Sequence, residues 1–362
     1  MHDQTELGIG VVGAGADHWS GTAHIPAIAA QDGVALRAVV TSSPESAAAA
    51  QQRWGVPATH ELFRVLDDDA VDVLVVTVRV PRHAEIVEAA IAAGKHVYCE
   101  WPLAVDTAEA AHLAQLSAAR PDRVHVVGLQ GRFSPHLRTA ADLIAAGAIG
   151  RVLTANLRLY LPHGLLPRPA HRAHLRHRSV GANVLTIQAG HTLDMVARLL
   201  GPAAVVSARL WSAVPEFLVD TGQRLPRDAP DNLVAVLEHG GVIAAVHVSQ
   251  TGSTESFALE VLGTAGTLRL TSTGQPQFGG LSADLAPLGG TAAGVERDPA
   301  LAYFSPLPAA HPGHNVASLY AAHADAVRTG RQDPILPRFA DAVALHRLLD
   351  DIARAAVDTE VG

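Results

Sequence analysis

Two groups of residues in this 362-residue sequence have the types and spacing for chemistry. His191 and Asp194 stand three apart in Asn183–Leu200, a segment whose apolar pattern reads as one long helix. Residues three apart are neighbours on a helix surface, and a carboxylate beside an imidazole fixes its tautomer and raises its proton affinity. Such a histidine can take a proton from a hydroxyl while hydride leaves the same carbon. The pair would serve equally as a buried anchor for the helix. The second group is Gly10-Val11-Val12-Gly13-Ala14-Gly15, which closes an apolar run beginning at Leu7. Glycines at such a turn let the backbone approach a pyrophosphate. The plainer reading is a tight strand-to-helix turn that holds no ligand. The usual spacing would put a third glycine at position 18. His18 stands there, and the next glycine is Gly21. The turn through Ala16, His18 and Trp19 therefore reads as enlarged, with a helix beginning at Thr22.

The elements around these groups set their places. Short apolar runs at Leu7–Gly13, Val34–Val40, Val71–Val78, His96–Cys99 and Val124–Leu129 read as buried strands. They alternate with helical patterns at Ala23–Asp32, Pro44–Trp54, Leu62–Leu66, Ala84–Ala93 and Thr107–Ala119. That alternation means a doubly wound parallel sheet, a Rossmann fold. A helix at Pro135–Ala146 follows. From Arg151 the chain turns strand-rich, which indicates an α+β region with an open, mostly antiparallel sheet. Gly274–Pro312, rich in Gly and Pro, reads as long loops, and two helices close the chain. The expected organisation is a dinucleotide-binding domain over 1–129 and a substrate-binding and oligomerisation domain over 130–362.

Strand ends carry more detail. Thr41-Ser42-Ser43 ends the second strand, where an NAD-preferring site usually has an acid on the ribose 2′-hydroxyl. Without that acid, the expected cofactor is NAD or NADP, with a lean to NADP. Ser-Ser-Pro is also simply a good helix cap. Arg79 follows the third strand, on the carboxyl edge where ligands bind.

Bulk composition narrows the partners. The formal charge of −8 argues against a non-specific nucleic-acid binder. A lone cysteine, Cys99, precludes an internal disulfide, and no apolar run reaches membrane-spanning length. The polar N-terminal stretch does not suit a signal peptide, so a cytoplasmic location is expected. Lys95 is the only lysine, so any lysine chemistry must use it or be absent.

Four segments converge on a family. Gly94-Lys95-His96-Val97-Tyr98-Cys99-Glu100-Trp101-Pro102-Leu103-Ala104, Gly128-Leu129-Gln130-Gly131-Arg132-Phe133, Ala145-Ala146-Gly147-Ala148-Ile149-Gly150-Arg151-Val152 and Gly190-His191-Thr192-Leu193-Asp194 resemble, in order, the glucose-fructose oxidoreductase/inositol dehydrogenase (Gfo/Idh/MocA) family. The resemblance covers nearly the whole chain. It implies an N-terminal Rossmann domain, a C-terminal open sheet, action on sugars or polyols, and dimers or tetramers formed through that sheet. With the strand-end reading, the expected cofactor contacts are Gly13, Gly15, Ala16, His18, Trp19, Thr41, Ser42, Val78, Arg79, Val80, His83, Glu100, Trp101 and Gln130, and catalysis is expected from His191 with Asp194.

Two departures stand out. The family's Glu-Lys-Pro is Glu100-Trp101-Pro102 here, and indole has no accessible pKa for proton relay. Dehydrogenases of the family usually have Asp four residues before the histidine; this chain has Ile187. Glu-Trp-Pro, Thr186–His191 and Val78-Arg79-Val80-Pro81 resemble the branch that includes the fungal galactose-regulon repressor, which binds a dinucleotide yet regulates. Three readings therefore stand: an NAD(P)-dependent oxidoreductase of sugars or polyols, a non-catalytic dinucleotide sensor, and a hydride-shuttling glycosidase or lyase that restores its cofactor. The stretch His163–Arg178 holds four histidines and four arginines but no carboxylate. It reads as a mobile basic loop over the substrate pocket, suited to an anionic group, rather than as a metal site.

Overall fold

The computed structural model describes residues 6–15, 18–331 and 333–356; Ala16 lies outside them. The chain forms two compact units, Met1–Phe133 with Ala302–Val343, and Ser134–Leu301 with Ala344–Gly362.

The first unit is built on six parallel strands: β1 (Leu7–Val12), β2 (Val34–Val40), β3 (Ala58–Thr59), β4 (Val73–Val76), β5 (His96–Glu100) and β6 (His125–Gly128). Their spatial order, β3-β2-β1-β4-β5-β6, is that of a dinucleotide-binding sheet. Every residue of β4 is buried, as a strand covered on both faces requires. The order reverses between β1 and β4, so the chain leaves the sheet there at Gly13 and Thr77, on the edge where such sheets bind ligands. Helices α1 (Ile25–Ala30), α2 (Pro44–Trp54), α3 (Leu62–Leu66), α4 (His83–Ala92) and α5 (Thr107–Ala118) connect the strands. Residues 302–343 return to this unit. Within them α8 (His314–Thr329) buries Val316, Leu319 and Tyr320 in a core shared with Ile25, Ile28, Tyr98 and Val126.

The second unit carries an eight-stranded mixed sheet: β7 (Val152–Tyr160), β8 (Ala204–Trp211), β11 (Asn232–His239), β12 (Val242–Ser249), β13 (Ser256–Gly263), β14 (Gly266–Ser272), β15 (Ser282–Pro287) and β16 (Ala293–Gly294). Among the described strands of this sheet, β7 and β12 pair in parallel and the other neighbours antiparallel. A separate hairpin joins β9 (Glu216–Leu218) and β10 (Arg224–Pro226). The helices of this unit are α6 (Pro135–Ala145), α7 (Gly190–Leu200) and the end of α9 (Phe339–Ala355). Alternation sends Leu157, Leu159, Leu233, Leu237, Val246 and Val248 to the core side. The opposite face presents Val234, Val236, Ile243 and Ala245 beside Arg158 and the Glu260–Arg269 ion pair.

Two expectations need correction here. Gly274–Pro312 is not all loop, because β15 pairs with β14 along its whole length and supplies backbone partners that the flanking Gly and Pro conceal. The helix expected over Asn183–Leu200 is two structures: a π-helical turn over Val184–Ala189, then α7. The same replacement occurs at the start of Ala23–Asp32, where a π turn over Ser20–His24 leads into α1. Among the described residues no helix is long and apolar enough to cross a membrane.

Candidate functional site

The glycine turn of the first unit is held by its own backbone. Gly13 has φ +98°, a conformation that glycine adopts without strain, and a Cβ there would press on Thr77. Its N–H donates to Val40 O at 2.9 Å, and its carbonyl accepts from Gly15 N–H at 2.9 Å and Ser20 Oγ at 2.6 Å. His18, standing where a third glycine is usual, lays its ring over Gly15: a Cβ on Gly15 would meet His18 Nδ1 at 2.6 Å. Trp19 follows, half-buried, its ring edge-on to His24.

At the end of β2, Ser43 caps α2, with reciprocal bonds to Ser46. Thr41 donates its hydroxyl to Ser43 O at 3.3 Å, and Ser42 is exposed. After β4, Val78 is half-buried, Arg79 exposed and Val80 buried. His83 is buried with its two ring nitrogens 2.9 Å from Pro102 O and 3.0 Å from Val78 O. Burial pushes its pKa down, and the neutral ring donates its single N–H to one of these two carbonyls.

Glu100 is the last residue of β5. Its side chain is 13% exposed, and its Oε1 lies 3.1 Å from Nε2 of His24, which is fully buried. A carboxylate only accepts, so Nε2 carries the proton and donates. On the other side of the ring, Nδ1 lies 2.8 Å from Tyr320 Oη. A chain of hydrogen bonds thus joins Tyr320, His24 and Glu100. Tyr98 packs edge-on to His24 with ring centroids 5.1 Å apart. Burial first, and Glu100 next, push both tyrosine hydroxyls well above their ordinary pKa, so they stay protonated. The same two causes raise the Cys99 thiol. Gly128 on the neighbouring β6 is equally constrained, because a Cβ there would collide with Glu100 Oε1.

Trp101 is buried after β5, and Gln130 is buried in the turn after β6. The Gln130 side-chain oxygen has no hydrogen-bond partner among the described residues. A buried acceptor without a donor is costly, and a ligand hydroxyl or amide would satisfy it. With the Gly13 turn and the half-open Glu100 carboxylate, these residues fit a dinucleotide along the carboxyl edge of this sheet. Lys95 does not join them. It sits at the other end of β5, its Nζ donating to Asp68 O and Val71 O at 2.8 and 2.7 Å.

In the second unit, His191 and Asp194 occupy the first turns of α7, each 6% exposed. Asn183 caps the preceding π turn, its Oδ1 accepting from Leu185 N–H at 3.0 Å. Thr192 Oγ1 donates to Gln188 O at 2.9 Å, closing the junction between π and α geometry. π turns are costly and cluster at functional positions. Ile187 and Gln188 line a recess with His163, Arg168 and Arg227.

The His163–Arg178 stretch, expected as a loop, contains short 3-10 turns bonded to residues 218–229: Arg168 N–H donates to Leu218 O at 2.9 Å, and Arg176 O accepts from Asp228 and Ala229 N–H at 3.1 Å. Those partners supply fixed backbone bonds that composition alone does not reveal. The sequence reading missed His24, Tyr320 and Arg227. Their partners are distant in the chain, His24 and Tyr320 by 296 residues.

Comparison with known proteins agrees with this geometry. Residues 7–128 match the model described as "Oxidoreductase family, NAD-binding Rossmann fold", and residues 137–269 match the GFO/IDH/MocA C-terminal domain. The chain belongs to the Gfo/Idh/MocA oxidoreductase family. A similar relative is dehydrogenase aclE of Aspergillus oryzae, 36% identical over 255 residues that cover 67% of this chain and 68% of that one. Levoglucosan dehydrogenase of Pseudarthrobacter phenanthrenivorans is 27% identical over 97% of this chain and 96% of its own. The solved structure of a super-repressor mutant of Gal80p from Saccharomyces cerevisiae shares the fold, with a TM-score of 0.83 at 22% identity over 97% of this chain and 96% of that chain. The fold is thus shared by a dehydrogenase and by Gal80p.

Proposed function

We propose that this protein is an NAD(P)-dependent oxidoreductase acting on a secondary hydroxyl of a sugar, polyol or related carbohydrate derivative. The observation that carries the reading is the Tyr320–His24–Glu100 chain. It fixes one carboxylate at the end of β5 in a family whose first domain is an NAD-binding fold. A buried relay of this kind has little purpose for an exposed surface acid. It makes sense for a carboxylate that must hold a ligand in one orientation. Glu100, Gln130 and the turn at Gly13, Gly15, His18 and Trp19 would hold the cofactor, with Val78, Arg79, Val80, His83 and Trp101 beside them. Thr41 and Ser42 offer hydroxyls and no carboxylate at the end of β2, which favours NADP(H) at least as much as NAD(H).

When bound, the nicotinamide supplies the hydride acceptor. The rest falls to the chain. Trp101 cannot take a proton, and Lys95 is committed to Asp68 O and Val71 O. His191 therefore removes the hydroxyl proton, and Asp194, one helical turn away, stabilises the imidazolium that forms. The open face of the second sheet, with Val234, Val236, Ile243 and Ala245, would pair copies into a dimer or tetramer.

The test is reduction of NAD+ or NADP+ at 340 nm across a panel of sugars, polyols and sugar acids. Turnover that falls roughly 100-fold or more in His191→Ala, with cofactor binding kept, supports the reading. A second reading is a dinucleotide-binding regulator, favoured by Trp101 in the lysine position and by the likeness to Gal80p. It predicts cofactor binding with no turnover, and a protein partner whose capture depends on cofactor. Cleavage of a glycoside with no net change at 340 nm would instead identify a cofactor-restoring glycosidase or lyase.

A further inference from the structure

The second unit carries a small, partly open recess with His163, Arg168, Asn183, Gln188, Arg227 and Gln250 in its wall. Its charges do not cancel. Arg227 is already committed: its Nη1 lies 3.2 Å from Asp231 Oδ2, and both side chains are buried. Asp231 accepts further bonds from the N–H groups of Ala213 and Val214 at 2.8 and 2.9 Å and from Asn232 Nδ2 at 2.6 Å. That pair is neutral and structural. His163 lies 3.5 Å from Glu255, but burial, Arg168 and Arg172 push its pKa down to about 3, so it adds no charge at neutral pH.

Arg168 and Arg172 remain, with Glu255 as the one further acid acting on Arg168. No carboxylate lies within ion-pair distance of the Arg168 guanidinium among the described residues. Burial, then the neighbouring cations Arg172 and Arg227, lower its pKa to about 10, and Glu255 opposes them only as the smallest influence. Glu255 is itself weakened as a counter-charge, because burial raises its pKa. Of the groups lining the recess, Arg227 is paired and His163 is neutral, so Arg168 leaves about one positive charge in excess. A half-buried guanidinium without a close carboxylate is costly, and a bound anion recovers that cost. Arg168 is also fixed at its root, donating its N–H to Leu218 O and accepting from Asp220 N–H, both at 2.9 Å. Beside it the amides of Gln188 and Gln250 meet at 3.2 Å and offer the donors and acceptors that read hydroxyls.

The geometry points to this recess as the holding site for a singly charged oxyanion, a carboxylate or sulfonate, carried on a polyhydroxylated substrate and gripped by Arg168, with the nearby charge of Arg172 adding to the attraction. One excess charge matches a monoanion better than a dianionic phosphate ester. The inference rests on the carbohydrate-oxidising reading and narrows its substrate, since Ile187, four residues before His191, lines the same recess.

Calorimetric titration of the full chain tests it, with and without NADH, using D-glucuronate, 6-deoxy-6-sulfo-D-glucose, D-glucose 6-phosphate and D-glucose. At least one monoanion should bind tenfold or more tighter than D-glucose, and tighter than the phosphate ester. Arg168→Gln should bring it to within about twofold of D-glucose, and Arg168→Lys should recover part of the loss. Arg172→Gln, at an exposed position that does not endanger folding, should lose about threefold. Equal binding of charged and neutral sugars, tighter binding of the phosphate ester, or a preference surviving both glutamine variants would overturn it. An anion preference that persists while NADH fails to bind would sink the dehydrogenase reading and leave this one standing. NADH binding and turnover of neutral sugars, with no anion preference, would do the reverse.

Discussion

The imidazole of His24 and the carboxylate of Glu100 meet at 3.1 Å, one wholly buried and the other open at its rim. Removing the ring leaves a carboxylate and a tyrosine hydroxyl facing a void. His24→Ala should cost about 2–4 kcal/mol of stability, read by urea unfolding. NADH affinity should fall with it. Unchanged stability together with unchanged affinity would mean that the contact positions nothing.

Gly128 tests the same carboxylate from the other side. Gly128→Ala drives a methyl into Glu100 Oε1. Losing one charge-assisted hydrogen bond to the cofactor corresponds to roughly a tenfold weaker Kd. Titration with NADH measures it, and an affinity equal to that of the parent would remove Glu100 from the binding account.

Lys95 should matter for folding and not for chemistry. Its two bonds to backbone carbonyls lie at the far end of β5. Lys95→Met should lower the unfolding midpoint while leaving NADH affinity within about twofold. A loss of affinity without a loss of stability would contradict the structural role.

Acid should destabilise the first unit before its carboxylates titrate. Burial holds His125 near a pKa of about 4 and His323 near about 3, and it holds His96 at about 4. Folded values below the unfolded one mean that the unfolded chain binds more protons. Stability is therefore full above about pH 6.5 and falls as pH drops toward 4, by at most about 1.4 kcal/mol per pH unit for each fully buried histidine. Urea midpoints measured from pH 7.5 to 4.5 give the slope. His323→Gln should flatten it, and a flat profile in the parent would show these rings to be hydrated.

How much of this was readable in the sequence follows from where each signal lies. The parallel sheet was legible because Val73–Val76 and its neighbours are continuous apolar runs between helical patterns. Glu100, Gln130, His191 and the Gly13 turn could be proposed from the sequence because each sits in a compact motif. The π turns at Ser20–His24 and Val184–Ala189 were not, since a single wider turn leaves the apolar period almost unchanged. Nor was the return of Tyr320 to His24, because a contact between distant segments leaves no local pattern. Arg227 was invisible for a similar reason: its role comes from the buried Asp231 and from the fold that sets it beside Arg168.

The central claim, that the first unit binds a nicotinamide dinucleotide with Glu100 as its fixed acid, is tested most directly by fluorescence titration. NADH and NADPH would be added separately to the parent and to Glu100→Gln, watching energy transfer from the four tryptophans. The account predicts saturable binding to the parent, NADPH binding at least as tightly as NADH, and a loss of roughly tenfold or more in the variant. No saturable binding of either cofactor to the parent would contradict it.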